Sequence, residues 1–366
     1  MVVAHVYKDC FPPVAGGIEK HIHSIRNGGS RHRHDVIVCN RMMRSATIDT
    51  EWGKETRVAE FGRPLASPLA PGMAAAIRES EADLFHFHMP HPTGEVAALL
   101  ICRKPFVCTY HCDIVRQVFA LPVYSRVLRP MFRRARAVVV GSLGLKFRSP
   151  VLRHLDRTVH IPYGVDTDAL RSSTVSRQAV EELRQRYGGP FVLAVGRLVY
   201  YKGFDVLIRA SRNLPVPMVI IGEGPLRAQL EALSREIRPD GGIHLRGAVE
   251  ESELLAHYAA ASVFALPSTS RAESFGLATA EAQSFGLPAV VSDVGTGTTE
   301  AISPGVSGLV VPPGEPTALA AAIREILRRD ERGAVGAAAR AFAEERLSAE
   351  TMISRLDRLY ESSAPW

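Results

Sequence analysis

Short apolar runs of strand type alternate with amphipathic helical runs along almost the whole chain. Strand-like runs lie at 2–7, 35–40, 56–61, 83–88, 105–110, 137–141, 158–162, 191–196, 217–221, 243–246, 263–266, 288–292 and 308–311. Such βα alternation is typical of parallel, doubly wound sheets, so the sequence predicts an α/β fold. The turn-rich segment 161–166 divides the series into two domains, 1–166 and 167–346, and residues 347–366 form a last amphipathic helix.

The charge is unequally divided between these halves. Residues 1–166 carry 23 Lys and Arg against 14 Asp and Glu, a net charge of +9, and residues 167–366 carry 21 against 24, a net charge of −3. No apolar run reaches the roughly 18 residues of a membrane span. The five cysteines show no CxxC spacing and favour a reducing, cytoplasmic setting. We expect an anionic partner for the basic half, and without interleaved aromatic residues we do not expect nucleic acid.

Two carboxylates lie near the start of the helical pattern that follows the strand at 263–266. Glu273 lies just before the predicted helix and Glu281 two turns inside it. The first-turn N–H groups of residues 274–277 lack intrahelical partners and form a site for an anion. Carboxylates accept hydrogen bonds from the hydroxyls of a sugar and a ribose. The arrangement therefore suits a nucleotide sugar.

Two cations follow the strand at 191–196, at the edge where α/β sheets bind ligands. Arg197 can fork onto phosphate oxygens, and Lys202 supplies a point charge. The next strand runs into the tight turn Gly222-Glu223-Gly224-Pro225. Three strand ends and one helix N-terminus thus predict a crevice for a nucleoside diphosphate.

Together these motifs resemble family 4 of the retaining glycosyltransferases. The ordered set is Gly16-Gly17-Ile18-Glu19, His111, Gly196-Arg197-(x4)-Lys202-Gly203, Gly222-Glu223-Gly224-Pro225 and Glu273-(x7)-Glu281, and it spans nearly the whole chain. The resemblance implies a GT-B fold, two Rossmann-like domains facing across a cleft. It also implies transfer of a hexose from a nucleotide sugar with retention at the anomeric carbon.

The resemblance also assigns roles to residues. The implied catalytic residues are His111, Arg197, Lys202 and Glu273. The implied donor-binding residues are Gly16, Gly17, Gly222, Arg246, Gly247, Ser274, Phe275, Gly276, Leu277 and Glu281. Glu273 would bind the donor sugar, Glu281 the ribose, the backbone at 246–247 the base, and His111 the sugar through its ring or its carbonyl oxygen. No protein nucleophile is expected, because the family is usually explained by front-face attack in which the acceptor hydroxyl loses its proton to the leaving phosphate. No metal is expected, because Arg197 and Lys202 supply the charge, and no cofactor is expected beside the donor.

The runs at 111–117 and 295–299 are similar to those of mannosyl- and related transferases of bacterial polysaccharide assembly. This similarity favours GDP-mannose over a UDP-hexose as the donor. Where most relatives carry a Gly-Gly-x-x-Glu loop, this chain has Gly295-Thr296-Gly297-Thr298-Thr299-Glu300.

The acceptor, a glycan or a lipid-linked molecule, is expected on the basic half. Residues assigned to it are Glu19, Asp113, Arg126, Arg129 and Arg133. The three arginines recur at helical spacing on the amphipathic stretch 124–136, so they form either a solvated face or a contact with anionic lipid at the inner face of the membrane.

Two other enzyme classes compete with this interpretation. His86, His88 and His91 could ligate a metal, as in a metal-dependent hydrolase, because alternation puts the first two on one face of a strand. Another GT-B enzyme, such as a nucleotide-sugar epimerase or a sugar phosphorylase, is the second alternative.

Overall fold

The computed structural model describes residues 1–14, 16–115, 121–172, 175–328 and 332–364. The chain divides into two units, Met1–Gly164 with Ala349–Trp366, and Val165–Ser348. The boundaries expected from the sequence fall within two residues of these.

The first unit is built on an eight-stranded sheet of order β3-β4-β2-β1-β5-β6-β7-β8. Its strands are β1 (Val2–Val6), β2 (Arg33–Asn40), β3 (Ala46–Thr50), β4 (Gly53–Ala59), β5 (Leu84–Met89), β6 (Phe106–Tyr110), β7 (Val138–Val140) and β8 (Thr158–His160). All pairs are parallel except β3 with β4, an antiparallel edge hairpin that the sequence did not predict. The exposed strand β3 carries little apolar surface, so it lacks the pattern of a buried strand.

Within the described residues, six helices cover this sheet: α1 (Gly17–Asn27), α2 (Met73–Glu79), α3 (Pro92–Ile101), α4 (Leu121–Arg134), α5 (Leu143–Arg148) and the C-terminal α14 (Ala349–Ser363). Ile353, Leu356 and Tyr360 of α14 join Val3 and Leu84 of the sheet in one buried cluster. The last helix of the chain thus belongs to the core of the first unit.

The second unit is a six-stranded, fully parallel sheet of order β11-β10-β9-β12-β13-β14. Its strands are β9 (Val192–Val195), β10 (Met218–Ile221), β11 (Ile243–Gly247), β12 (Val263–Leu266), β13 (Ala289–Ser292) and β14 (Gly308–Val311). Its helices are α6 (Thr167–Ser172), α7 (Arg177–Arg186), α8 (Phe204–Ala210), α9 (Arg227–Ile237), α10 (Glu251–Ala260), α11 (Leu277–Ser284), α12 (Pro316–Arg328) and α13 (Arg332–Arg346). Buried apolar clusters lie on both faces of the sheet, which confirms the predicted α/β class.

The strand order of the second unit reverses between β9 and β12. The chain runs from β9 outward through β10 to β11, and then returns to the other side of β9 as β12. In open α/β sheets the crevice beyond the carboxyl ends of the strands at such a switch point is where ligands bind. We therefore expect a ligand site at the loops after β9 and β12.

Candidate active site

The loops that follow β9 and β12 touch through a glycine. Gly203 has a left-handed backbone, with φ 66°, and ends the short helical turn Tyr200–Lys202. A Cβ atom at this position would lie 2.0 Å from the carbonyl oxygen of Pro267, the residue after β12. Only glycine allows this close approach, and the approach brings Lys202 beside the segment that carries Glu273.

Lys202 and Glu273 form a largely buried ion pair. The distance from Lys202 Nζ to Glu273 Oε2 is 2.7 Å, and the two side chains are 12% and 8% exposed. The Ser268 hydroxyl donates to the same carboxylate oxygen at 3.1 Å. Arg197 is exposed and makes no ion pair within the described residues. The charge of Lys202 is therefore already balanced, and Arg197 is the cation of the predicted clamp that remains available to an anion.

The helix after Glu273 begins later than the sequence predicted. Gly276 is its N-cap, with φ 87°, and α11 starts at Leu277, so Ser274, Phe275 and Gly276 precede the first turn. A residue with a left-handed backbone cannot be part of a right-handed α-helix, so the helix does not extend N-terminally through Gly276. The prediction that those three residues form the first helical turn is thus wrong, their binding of an anion stays a prediction, and Glu281 lies one turn inside the helix rather than two.

The segment before α11 is fixed by the chain after β13. The Thr296 hydroxyl donates to the Glu273 carbonyl at 2.6 Å, and the Gly297 N–H donates to the Ser274 carbonyl at 2.8 Å. Phe275 is buried. The loop that replaces the usual Gly-Gly-x-x-Glu sequence therefore carries threonine hydroxyls, and that of Thr296 holds the backbone of Glu273.

Glu281 is held by a buried tyrosine. Its Oε2 accepts from the Tyr258 hydroxyl at 2.7 Å. Burial, followed by the charge of Glu281, raises the pKa of Tyr258 well above its ordinary value, so the hydroxyl stays a donor. The carboxylate is thereby oriented on α11.

Glycines also join the ends of β9, β10 and β11. A Cβ on Gly222 would lie 2.0 Å from the Gly196 carbonyl oxygen, and the Gly222 N–H donates to the Gly247 carbonyl at 2.8 Å. Arg246 Nη2 lies 3.1 Å from Glu253 Oε1 in a half-exposed ion pair. Gly222 and Gly247 thus bring the three strand ends together, which is a structural reason for them beside the predicted donor contacts.

The glycine pair of the first unit lies at the start of α1. Gly16 is the N-cap, Gly17 is the first helical residue, and Glu19 is a buried residue of the first turn. A Cβ on Gly16 would lie 2.1 Å from Glu19 Oε2. Burial raises the pKa of Glu19. The carboxyl group of Glu19 therefore lies at the helix N-terminus formed by the two glycines that the resemblance assigns to donor binding.

His111 follows β6 and is buried, with both ring nitrogens hydrogen-bonded. Its Nε2 lies 2.9 Å from His88 Nδ1, and its Nδ1 lies 2.8 Å from the Tyr163 hydroxyl. Burial, with neighbouring histidines, holds its pKa well below the ordinary value. The ring is therefore suited to holding residue 111 in place rather than to accepting a proton. Asp113 accepts from Ser149 Oγ at 2.5 Å and from the Tyr110 hydroxyl at 3.3 Å.

The predicted metal triad does not form. Among the described residues, the groups of three close enough to share an ion are His5, His86, His88 and His21, His88, His111, and neither contains His91. His91 precedes α3. The rings of His5, His86, His88 and His111 instead hydrogen-bond to one another or to hydroxyl groups.

Helix α4 exposes three of the predicted arginines, Arg126, Arg129 and Arg133, and buries Tyr124, Leu128, Met131 and Phe132. The helix ends at Arg134, two residues before the predicted end. Arg134 is exposed as well, but its guanidinium is engaged, because it donates to the carbonyls of Leu99 and Cys102 at the end of α3. Residues 116 and 117 of the run similar to mannosyltransferases lie outside the described residues.

Sequence reasoning missed the residues that orient the predicted ones. Ser268 carried a usable signal, because it stands two residues after the carboxyl end of β12. Tyr258, Tyr163, His5 and His34 carried none, since their contacts depend on which strands and helices are neighbours. No helix in the described part of the chain combines the length and apolar character needed to cross a membrane.

Two family descriptions match the chain, one to each half. Residues 15–169 match Glycosyltransferase Family 4, and residues 176–342 match Glycosyl transferases group 1. The D-rhamnosyltransferase WbpZ of Pseudomonas aeruginosa is 31% identical over 330 residues, 88% of this chain and 86% of that protein. This chain belongs to glycosyltransferase family 4. It is a transferase, and the metal-dependent hydrolase is not supported.

A second relative of this family 4 glycosyltransferase comes from Mycolicibacterium smegmatis. It is a GDP-mannose-dependent alpha-(1-6)-phosphatidylinositol monomannoside mannosyltransferase, 28% identical over 372 residues, which are 95% of this chain and 96% of that protein. Among solved structures, Anabaena HepE in complex with UDP has a TM-score of 0.80 at 22% identity and covers 99% of this chain and 100% of its own. That likeness shows the fold, which is GT-B.

Proposed function

We propose that this protein transfers mannose from GDP-mannose, with retention at the anomeric carbon, to a hydroxyl of a glycan or lipid-linked acceptor. The observation that carries the proposal is the Lys202–Glu273 pair at the switch point, with Arg197 exposed after the same strand and Glu281 one helical turn into α11. The GDP-mannose dependence of the mycobacterial relative favours this donor over a UDP-hexose.

Arg197 and Lys202 would stabilise the charge that develops on the leaving diphosphate. Because these two cations supply positive charge, the reaction is proposed to need no metal. Glu273 would accept from hydroxyls of the donor sugar, and Glu281 from the ribose. Glu273 is ion-paired, so its oxygens are poorly suited to attack the anomeric carbon.

The acceptor hydroxyl loses a proton during transfer, and a base must accept it. The ring of His111 has both nitrogens engaged and a depressed pKa, so it is a poor base. We therefore assign the proton to an oxygen of the leaving diphosphate, with the acceptor attacking from the face that the diphosphate leaves. No covalent intermediate on the protein is required.

The acceptor is proposed to lie at the inner face of a cytoplasmic membrane. The exposed arginines of α4 provide charge for anionic lipid headgroups. Val96 and Leu100 of α3 and Val123 of α4 are 41%, 76% and 67% exposed and add apolar surface on helices that contact each other. The phosphatidylinositol-based acceptor named for the mycobacterial relative is in keeping with this placement.

Calorimetry against GDP, UDP, ADP and dTDP tests the donor class. GDP should bind most tightly, and incubation with GDP-mannose and a lipid extract should give an α-linked product by NMR, because the donor is an α-mannoside. Tighter binding of UDP would refute the donor assignment. A β-linked product would refute retention.

A further inference from the structure

A line of hydrogen-bonded rings crosses the sheet of the first unit and ends at His111. The rings come from the neighbouring strands β2, β1 and β5 and from the residue after β6. The links are His34 Nδ1 to His5 Nε2 at 2.8 Å, His5 Nδ1 to His88 Nε2 at 2.9 Å, His88 Nδ1 to His111 Nε2 at 2.9 Å, and His111 Nδ1 to the Tyr163 hydroxyl at 2.8 Å. We call these five residues the imidazole chain.

The alternation of side chains along each strand places these rings on one face of the sheet. His5 alternates with Ala4 and Val6, whose side chains lie in the core cluster on the opposite face, and His88 alternates in the same way with Phe87 and Met89. Strands lie about 4.8 Å apart, so side chains on one face of adjacent strands can touch. All four histidines are at most 1% exposed, so their links are shielded from bulk water.

Burial also keeps the four imidazole rings of the imidazole chain neutral. It lowers the pKa of His34 to about 4 and holds the pKa values of His5, His88 and His111 well below the ordinary value. A neutral imidazole has one donor and one acceptor nitrogen. Each link needs one of each, so a proton on Nδ1 of any one ring requires a proton on Nδ1 of all four, and the same holds for Nε2. The tautomer of His111 is thereby tied to that of His34, three strands away.

We propose that His5 and His88 are positioning residues of the transfer reaction, which act by holding His111 in one tautomer and one orientation. The inference rests on the proposed function and on the expectation, from the family resemblance, that His111 contacts the donor sugar. It goes beyond it by assigning roles to two side chains that cannot themselves reach a substrate.

His86 provides a control that distinguishes loss of positioning from loss of core packing. It lies on β5 two residues before His88, on the same face, and is equally buried, with the two ring centroids 4.2 Å apart. Its nitrogens bond to the Tyr360 hydroxyl at 2.8 Å and to Thr109 Oγ1 at 2.6 Å. Replacing His86 therefore disturbs the same core and removes two buried hydrogen bonds without breaking the chain.

The experiment compares His88→Leu, His88→Asn and His86→Leu. His88→Leu should lower kcat about 10–100-fold, the scale of a misplaced reacting group. It should leave the Kd for GDP unchanged, because the residues proposed to hold the nucleotide belong to the other unit. In His88→Asn the amide stands near the position of Nδ1 and can bond to His111 again, so most of kcat should return. His86→Leu should lose stability but keep the wild-type kcat.

A second readout does not depend on activity. In protein labelled with 15N-histidine, the ring shifts of His111 at pH 7 report which nitrogen carries the proton. They should change in His88→Leu and stay as in the wild type in His86→Leu. If His88→Leu does not fold, Tyr163→Phe deletes one hydroxyl at the end of the chain and should change the same shifts and lower kcat.

Either of two results would overturn the inference: equal losses of kcat in His86→Leu and His88→Leu, or unchanged ring shifts of His111 in His88→Leu. Failure of the proposed function would look different. The wild type would then transfer no mannose, while its spectra would still show a single tautomer at His111.

Discussion

Replacing Lys202 by alanine should damage both stability and turnover. The change leaves Glu273, whose side chain is 8% exposed, without its ion-pair partner. Removing one partner of a buried pair costs about 3–5 kcal/mol, since it leaves an uncompensated charge. The Ser268 hydroxyl remains bound to the carboxylate, so we expect the lower end, about 3 kcal/mol. For a domain of roughly 150–250 residues, that loss corresponds to a fall in Tm of about 6–12 °C.

Arg197→Ala is the matched control, because it removes a positive charge that is exposed rather than buried. Arg197 is exposed, so its removal should change the free energy of unfolding by no more than about 0.5 kcal/mol. Both variants should lose about 10²–10³-fold in kcat, the scale of one lost electrostatic donor at a transition state. Calorimetric melting and initial-rate assays with GDP-mannose separate the two effects.

The double variant Lys202→Met, Glu273→Gln completes the test. With both charges removed, no buried charge is left unpaired, so the Tm should recover most of its loss while turnover does not. An unchanged Tm in Lys202→Ala would refute the buried pair. Unchanged turnover in both Lys202→Ala and Arg197→Ala would refute the diphosphate clamp.

Three further outcomes are expected. Glu281→Ala should raise the Kd for GDP about 10–100-fold, since it removes a charged ribose contact, whereas Glu273→Ala should not raise that Kd but should reduce transfer; equal losses in calorimetry would contradict the division of roles. Reversing the three exposed arginines of α4 to glutamate should reduce sedimentation with anionic vesicles, more at low salt than at high, and a wild type that ignores such vesicles would refute membrane contact. Glu95 is a buried residue in the first turn of α3. Burial raises its pKa from 4.5 to about 7, so the folded state holds that proton more tightly than the unfolded chain does, and the free energy of unfolding should fall by roughly 3 kcal/mol as pH rises from about 4.5 to 7; Glu95→Gln should lack that part of the pH dependence in urea titrations.

The parallel sheets were predictable because their strands are buried runs with helices between them. The edge hairpin was not, since β3 is exposed and carries no apolar pattern. The start of α11 was misplaced because Gly276 follows Ser274 and Phe275 in a continuous helical pattern, and its left-handed backbone depends on contacts that the sequence does not show.

The partners of the predicted site residues were harder to predict. Lys202 and Glu273 were each placed after the correct strand, but their contact depends on Gly203 lying against the Pro267 carbonyl, which needs β9 and β12 to be neighbours. The imidazole chain likewise depends on the order β2-β1-β5-β6. The pairs β9–β12 and β1–β5 join strands that are not consecutive along the sequence, so periodicity alone could not predict them.

The Lys202–Glu273 pair has a consequence for which ligand the site prefers. A diphosphate that draws Lys202 away leaves the buried Glu273 carboxylate without its cation, which costs free energy. The hydroxyls of a donor sugar can donate to that carboxylate and offset the loss, whereas GDP alone cannot. Intact GDP-mannose should therefore bind more tightly than GDP to the wild type. Glu273→Ala should reduce or abolish that difference, because Lys202 is then free to meet the diphosphate with either ligand.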